Sequence, residues 1–156
     1  MKLKLLTVVS HKEDWSESAT DLYLEKINPF VAIEIEALKS KKLERENSEL
    51  KKEAESEQLL KKLSPTDYVI LCDEHGKGMD SPQFSKKLVT AFESGKRQVV
   101  FVVGGAFGVS AAIKKRADLT VSLSTMTMNH LVARVMLLEQ IYRAIMIWKN
   151  KPYHNA

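Results

Sequence analysis

Five short runs of aliphatic and β-branched residues, separated by segments of helical composition, constrain the fold of this chain more than any other feature. They cover residues 3–9, 30–35, 68–71, 99–103 and 119–123. Strands that alternate with helices form a parallel sheet covered by helices, because each return to the same edge needs a long crossover. Since 156 residues is an ordinary length for a single unit, we predict one α/β domain over residues 1–156.

The helical segments between these runs have recognisable ends. Asn28-Pro29 ends a helix predicted over 15–27, because the residue before a proline avoids the helical conformation. Ser81-Pro82 is typical of a helix start, with Ser81 as the N-cap, and Gly95 is the predicted stop. A short basic helix is predicted over 110–116.

The segment 39–62 is dense in charge, with eight basic and six acidic residues among 24. One interpretation is a disordered or RNA-binding arm. The mixed signs favour the other interpretation, an exposed helix with i,i+4 ion pairs. Its thin apolar stripe consists of Leu43, Leu50, Ala54 and Leu59-Leu60.

The last helix, predicted over 128–148, is apolar on most of its sides. One seam consists of Leu131, Val135, Leu138, Tyr142 and Ile145, and other sides carry Val132, Met136, Ile141 and Met146. Such a helix must be covered on more than one side. Because a small sheet covers only one side, we expect a second copy of the chain to cover another, in a homodimer. Complete enclosure in the chain's own core is the alternative.

Composition excludes several classes of protein. The longest apolar stretch is interrupted by Arg134, Glu139, Gln140 and Arg143, so we expect no membrane span. The single Cys72 excludes an intramolecular disulfide and a multi-cysteine metal or iron–sulfur site. We therefore expect no metal and a reducing, cytoplasmic location. The apolar run at the N-terminus is too short for a signal peptide and is predicted to be the first strand.

Positive charge is concentrated near one end of the chain. The net charge is only +4, but residues 111–156 contain seven basic and two acidic side chains. A polyanion would be drawn to such an end, although scattered surface lysines produce the same count. The charge therefore allows a nucleic-acid partner without requiring one.

Three turns with glycine or polar residues follow the third, fourth and fifth runs, at 71–78, 103–108 and 123–128. Ligands of parallel sheets bind outside the carboxyl ends of the strands, where such turns converge. Glycine lets the backbone approach a flat ligand closely. None of the turns matches a dinucleotide-binding or P-loop pattern, so both of those sites are disfavoured.

Three further motifs follow these turns: Asn129-His130-x-x-x-Arg134, Glu139-Gln140-Ile141-Tyr142-Arg143-Ala144 and Pro152-Tyr153-His154. In this order, and over essentially the whole chain, the sequence closely resembles the ribosomal RNA large subunit methyltransferase H family. These are small SPOUT-class enzymes that methylate N3 of a pseudouridine. The sequence departs from the family at Asn129, where proline is common, and at Asn155-Ala156, where a further basic or histidine residue is frequent.

The resemblance implies a SPOUT-type parallel-sheet α/β fold with a C-terminal trefoil knot, whose cofactor-binding part covers about residues 68–156. It implies an S-adenosylmethionine site at Leu71, Gly104, Leu123, Ser124, Thr125, Met126, Thr127 and Met128. It also implies a homodimer that acts on 23S ribosomal RNA within the assembled ribosome, at the stem-loop of helix 69.

Methylation of N3 requires the loss of a weakly acidic N–H proton, which a base or an anion-stabilising group assists. The family's polar motif positions make His130, Arg143, Tyr153 and His154 the catalytic candidates. We expect His154 or His130 to lie near the N3 proton and Arg143 to stabilise the negative charge that develops on the base. Tyr153 is expected to contact the base itself. His130 could instead cap the last helix, and Arg143 could be a structural partner of Glu139.

The sequence leaves two other functions open. One is a SPOUT methyltransferase that acts on transfer RNA. The other is a ribosome-binding protein that keeps the knot and lacks catalysis.

Overall fold

The computed structural model describes residues 1–40 and 47–155, and this part of the chain forms a five-stranded sheet with helices on both faces. The strands are β1 (Lys2–Val9), β2 (Ala32–Lys39), β3 (Asp67–Gly78), β4 (Gln98–Val103) and β5 (Leu119–Ser122). The helices are α1 (Asp14–Ile27), α2 (Ser48–Lys61), α3 (Ser81–Phe92), α4 (Ala111–Arg116) and α5 (His130–Trp148). The predicted α/β fold is therefore confirmed.

The strands pair in the order β2-β1-β4-β3-β5, and all four pairings are parallel. β4 lies at the centre, and all six of its residues are buried. Its unbroken aliphatic run suits a strand covered on both faces. This arrangement is consistent with the SPOUT-type architecture, and the trefoil knot stays a prediction.

Two hydrophobic layers cover the sheet. α1, α3 and α5 lie on one face, where Phe101 of β4 packs with Leu137 and Ile141 of α5. α2 and α4 lie on the other face, where Val100 and Val102 of β4 pack with residues such as Leu59 and Ile113. Successive residues of β4 alternate between the two layers, as the pleat requires.

Helix α5 packs against α1 on one side and α3 on the other, in addition to the sheet. Ser85 of α3 donates to the Ala144 carbonyl at 2.7 Å, and the buried Arg134 donates to Ser16 of α1 at 2.7 Å. The chain's own core therefore covers much of the apolar surface of α5, as the alternative interpretation proposed. Val132 is left 44% exposed, and the homodimer stays a prediction.

The starts of α1, α3, α4 and α5 each differ from the prediction by one or two residues. Side-chain caps explain the starts of α3 and α5. Asp80, not Ser81, is the N-cap of α3. Its carboxylate accepts the backbone N–H of Gln83, and the Gln83 side chain accepts the backbone N–H of Asp80, which forms a capping box. α5 begins at His130 rather than at residue 128, because Asn129 accepts the Leu131 N–H at 2.8 Å. Asn129 therefore has the capping role that was considered for His130.

Two strand boundaries depend on long-range pairing. β2 extends to Lys39 because it pairs with β1 along its whole length. β3 extends to Gly78 because it pairs with β5 twice, with an irregularity between Cys72 and Lys77. Within the charged segment, Ser48–Lys61 form the predicted helix, whereas Lys39 belongs to β2. The helix is not exposed throughout, because Glu55, Ser56 and Leu59 are buried. Leu43, which we placed on the apolar stripe of that helix, lies outside the described residues.

Across the described ranges, no helix is both long and apolar enough to cross a bilayer.

Candidate active site

A cavity of about 220 Å³ lies at the carboxyl ends of β3, β4 and β5. The three predicted turns converge here, as expected of a parallel sheet. Seven of the residues singled out from the sequence line it: Gly104, Leu123, Ser124, Met126, Thr127, Met128 and His130. Leu71 and Thr125 do not line it. The Leu71 side chain is fully buried in the layer that faces α2 and α4, so its expected role at the cofactor stays a prediction.

The turn after β4 needs its glycines. A Cβ atom at Gly104 would lie 2.6 Å from Cγ1 of Val109, and one at Gly105 would lie 2.5 Å from Oε2 of Glu55. Gly108 has a φ of +81°, in the left-handed region that favours glycine. At Gly104 and Gly105 the backbone of the turn therefore packs closely against Val109 and Glu55, with no room for a side chain, and it also borders the cavity.

His130 is the first residue of α5 and lines the cavity. Its Nε2 atom is buried and has no hydrogen-bond partner within the described part of the chain. The His11 ring lies edge-on to it, with 6.0 Å between the ring centroids. Burial, followed by the positive charges of His11 and Arg134, lowers the pKa of His130 below its ordinary value. The imidazole is therefore neutral near pH 7, the form that can accept a proton.

The other three catalytic candidates form one cluster at the far end of α5. The Arg143 guanidinium donates to Oε1 of Glu139 from Nη2 at 2.6 Å and from Nε at 3.1 Å. The Tyr153 hydroxyl donates to the same oxygen at 3.0 Å. Nδ1 of His154 lies 3.2 Å from Nη1 of Arg143. Arg143 is thus paired with Glu139, as the structural alternative predicted. It also contacts Tyr153 and His154 of the tail.

A turn after α5 brings the tail back to the helix. The Lys151 N–H donates to the Met146 carbonyl at 2.9 Å, and Asn150 adopts a left-handed φ of 55°. This is the pattern of a helix C-terminus that reverses direction, and asparagine tolerates that conformation better than most residues do. Tyr153 and His154 consequently lie beside Arg143.

The cluster changes the acidity of its members. Hydrogen bonding to Glu139 raises the pKa of Arg143. Burial and the hydrogen bond to Glu139 raise the pKa of Tyr153 to about 12. Because arginine is a permanent donor, Nδ1 of His154 accepts the bond from Arg143, which leaves Nε2 as the N–H donor of the ring. Arg143 and His154 can therefore both donate to an anion.

Glu139 is the residue of this cluster that the catalytic candidates did not include. We considered it only as a structural partner of Arg143, yet one of its oxygens accepts from both Arg143 and Tyr153. Its other oxygen accepts from Gln140 at 3.0 Å. The i,i+4 spacing to Arg143 was the available signal, but the contact with Tyr153 depends on the return of the tail.

His130 and the Arg143 cluster are well separated. The two residues are 13 positions apart on α5, which corresponds to about 20 Å along the helix. His154 lines a second cavity, of about 560 Å³, which adjoins the first at Leu123. A single chain therefore brings Arg143, Tyr153 and His154 together but does not bring His130 to them.

Comparison with known proteins identifies the family. Residues 1–154 match the family model described as "Predicted SPOUT methyltransferase". The chain is 48% identical over 155 residues to the ribosomal RNA large subunit methyltransferase H of Bdellovibrio bacteriovorus, covering 99% of each chain. This chain belongs to the ribosomal RNA large subunit methyltransferase H family of SPOUT methyltransferases.

Another member of the family, from Geotalea daltonii, is 37% identical over 155 residues, covering 99% of this chain and 100% of the relative. Among solved structures, the SpoU methyltransferase AviRb of Streptomyces viridochromogenes, in complex with the cofactor AdoMet, aligns with a TM-score of 0.47 and 14% identity. That alignment covers 96% of this chain and 59% of AviRb. The likeness to AviRb is too low to bear on the site.

Membership of this methyltransferase family confirms the expectation of S-adenosylmethionine as the cofactor, and the cavity fits it chemically. Val103, Leu123 and Met128 offer apolar surface for a flat base, and Asp73 and Glu74 bring carboxylates that suit a cationic sulfonium. The enclosed volume is below the roughly 300–1,000 Å³ of sites that bury most of a small ligand. Among the residues described, no group of three or more metal-ligating side chains is present.

Proposed function

We propose that this chain is an S-adenosylmethionine-dependent methyltransferase that methylates N3 of a pseudouridine in 23S ribosomal RNA, at the helix 69 stem-loop of the assembled ribosome. The observation that carries the proposal is the full-length similarity, at 48% identity, to a relative named ribosomal RNA large subunit methyltransferase H. The cavity formed by the three turns supports it, because a methyl donor can lie there beside His130.

When bound, S-adenosylmethionine supplies an electrophilic methyl group. The turn at Gly104 and the run 123–128 hold and orient the cofactor, and the apolar wall excludes water. His130 is the proposed acceptor of the N3 proton, because its ring is neutral and its Nε2 is unpartnered in the described chain. His154 is less suited to that role, since its Nδ1 already accepts from Arg143.

Arg143 and His154 are proposed to donate hydrogen bonds to the carbonyl oxygens of the base, where negative charge develops as N3 loses its proton. Glu139 fixes the plane of the guanidinium through two hydrogen bonds to one oxygen. Tyr153 lies with its ring 4.7 Å from Cζ of Arg143, so both are placed to contact a base.

We also propose that the active form is a cytoplasmic homodimer. His130 and Arg143 of one chain are about 20 Å apart along α5, so they cannot both contact one base. A second copy can supply the Arg143 cluster to the cavity of the first. Exposed apolar side chains at Met126 and Val132, 76% and 44% exposed, offer surface for such a contact near the cavity.

The proposal is tested by transfer of a labelled methyl group from S-adenosylmethionine. The acceptors are intact ribosomes from a strain that lacks the corresponding gene, protein-free ribosomal RNA, and transfer RNA. We expect labelling of intact ribosomes alone, and mass spectrometry of the digested RNA should place the methyl group on N3 of a pseudouridine.

Other outcomes would contradict the proposal. Labelling of transfer RNA in place of ribosomes would indicate a different SPOUT activity. Cofactor binding without transfer to any acceptor would indicate a ribosome-binding protein that lacks catalysis.

A further inference from the structure

Helix α2 contacts the cofactor turn at three points, although its sequence is that of an exposed charged helix. The turn, residues 104–110, leads from β4 to α4 and provides one wall of the cavity. Lys51 of α2 lies 5.6 Å from the ring centroid of Phe107. Glu55 lies against Gly105, and Ser56 bonds to Ser110. The contacts thus fall near both ends of the turn and in its middle.

Glu55 is unusual because its carboxylate is buried, with a residue exposure of 1%. Its Oε1 accepts a hydrogen bond from Ser40 at 2.6 Å. Its Oε2 is buried without a partner among residues 1–40 and 47–155, and it lies 2.5 Å from the position of a Cβ atom at Gly105. Burial of a carboxylate oxygen without a partner is costly. Stability therefore does not explain the position of Glu55, and we expect it to have another role.

Ser56 is the next residue of α2 and is also 1% exposed. Its hydroxyl accepts the Ser110 N–H at 2.8 Å, and Ser110 in turn caps α4. Ser56 therefore anchors the end of the turn to α2, while Glu55 limits the position of its glycine start.

We propose that Glu55, together with Ser56, is a positioning residue that holds the turn 104–110 in the conformation that binds S-adenosylmethionine. The inference rests on the proposed function, because it concerns the same cofactor site. Glu55 acts through the backbone: its carboxylate fills the space beside Gly105 and offers Oε2 as an acceptor for the donors of the turn when the cofactor is bound. Ser40 keeps the carboxylate in that orientation.

Titration calorimetry with S-adenosylmethionine on the full chain tests the role. Glu55→Ala should weaken cofactor binding about tenfold, the effect of losing roughly one hydrogen bond. Glu55→Gln, which keeps the shape and one acceptor oxygen, should recover most of the wild-type affinity. The matched control is Glu57→Ala on the same helix, because the Glu57 side chain is 71% exposed.

A second pair of variants covers the case in which Glu55→Ala does not fold. Gly105→Ala should also weaken binding, because its methyl group meets the Glu55 carboxylate. In the double variant Glu55→Ala/Gly105→Ala the two losses should not add, since the first substitution removes the atom that the second one meets. Ser56→Ala should lower affinity in the same direction.

Three results would overturn the role of Glu55. The first is wild-type affinity in Glu55→Ala, and the second is wild-type affinity in Gly105→Ala, which would mean that the carboxylate moves aside freely. The third is losses that add in the double variant. If the wild-type chain binds no S-adenosylmethionine, both the proposed function and this role fail, whereas the three results above leave the function intact.

Discussion

Oε1 of Glu139 lies 2.6 Å from Nη2 of Arg143, one turn further along α5, and the same oxygen accepts from the Tyr153 hydroxyl at 3.0 Å. One carboxylate oxygen therefore orients two of the catalytic candidates at once. Charge-assisted hydrogen bonds of this kind are stronger and more directional than neutral ones. The relationship makes Glu139 the residue on which the geometry of the tail cluster depends.

Glu139→Gln should therefore reduce turnover by about 10- to 100-fold while leaving the affinity for S-adenosylmethionine unchanged, because about 1.4–2.7 kcal/mol of charge-assisted bonding is lost. Single-turnover methylation of ribosomes and calorimetry measure the two effects. Glu57→Gln is the control, since Glu57 forms an exposed i,i+4 pair with Lys61 at 3.6 Å. Full turnover in Glu139→Gln would show that Arg143 needs no orienting partner.

We predict that the His130 ring titrates with a pKa below the ordinary value for histidine. Burial, His11 and Arg134 lower its pKa in the folded chain, whereas the unfolded chain keeps a pKa near 6.5. Above that value both states are neutral, and as the pH falls below it the unfolded state takes up protons first. Stability is therefore lost on acidification through this window. NMR titration of the His130 ring should give the lowered pKa, and unfolding of His130→Gln should depend less on pH.

Tyr153 should remain protonated throughout the range in which ribosomes are stable, because its pKa is raised to about 12. An ultraviolet difference titration of the wild type against Tyr153→Phe should show one phenol that ionises about two units above the ordinary tyrosine value of roughly 10. We expect Tyr153→Phe to lower turnover without a pH-dependent component. A phenol that ionises at the ordinary value would mean that the bond to Glu139 is absent in solution.

Gly104→Ala should abolish cofactor binding and destabilise the fold by about 1–3 kcal/mol, the usual cost of overpacking. The reason is that the added methyl group would lie 2.6 Å from Cγ1 of Val109. Gly78→Ala is the matched control, because a Cβ atom there has no neighbour within 4 Å. Calorimetry and thermal unfolding check the pair, and equal behaviour of the two variants would contradict the tight turn.

If the chain forms a homodimer, the 17.7 kDa chain should sediment at twice its own mass. Val132→Asp should shift it toward monomer and reduce methylation, because Val132 is an exposed apolar residue at the start of α5. Leu50→Asp is the control: Leu50 is 61% exposed and belongs to α2, on the other face of the sheet. An active wild-type monomer would contradict both the dimer and the joint active site.

Much of the fold could be predicted because the relevant signals are local. The aliphatic runs form strands and their intervening segments form helices, and a run buried on both faces, such as β4, is readable from its composition. The convergence of the turns at one cavity followed from the parallel sheet alone. Caps shifted two helix starts by one or two residues, since competing side chains at neighbouring positions decide them.

The sequence by itself thus determined the alternation of strands and helices, the edge of the sheet at which the cavity lies, and the family to which the motifs belong. Only the tertiary structure decided that α5 lies between α1 and α3, that Glu55 and Ser56 of a charged helix are buried, and that Tyr153 and His154 return to Arg143. The physical reason is the distance along the sequence over which each effect acts. Propensity and periodicity act over a few residues, whereas burial depends on partners such as Ser16 and Arg134, which are 118 positions apart.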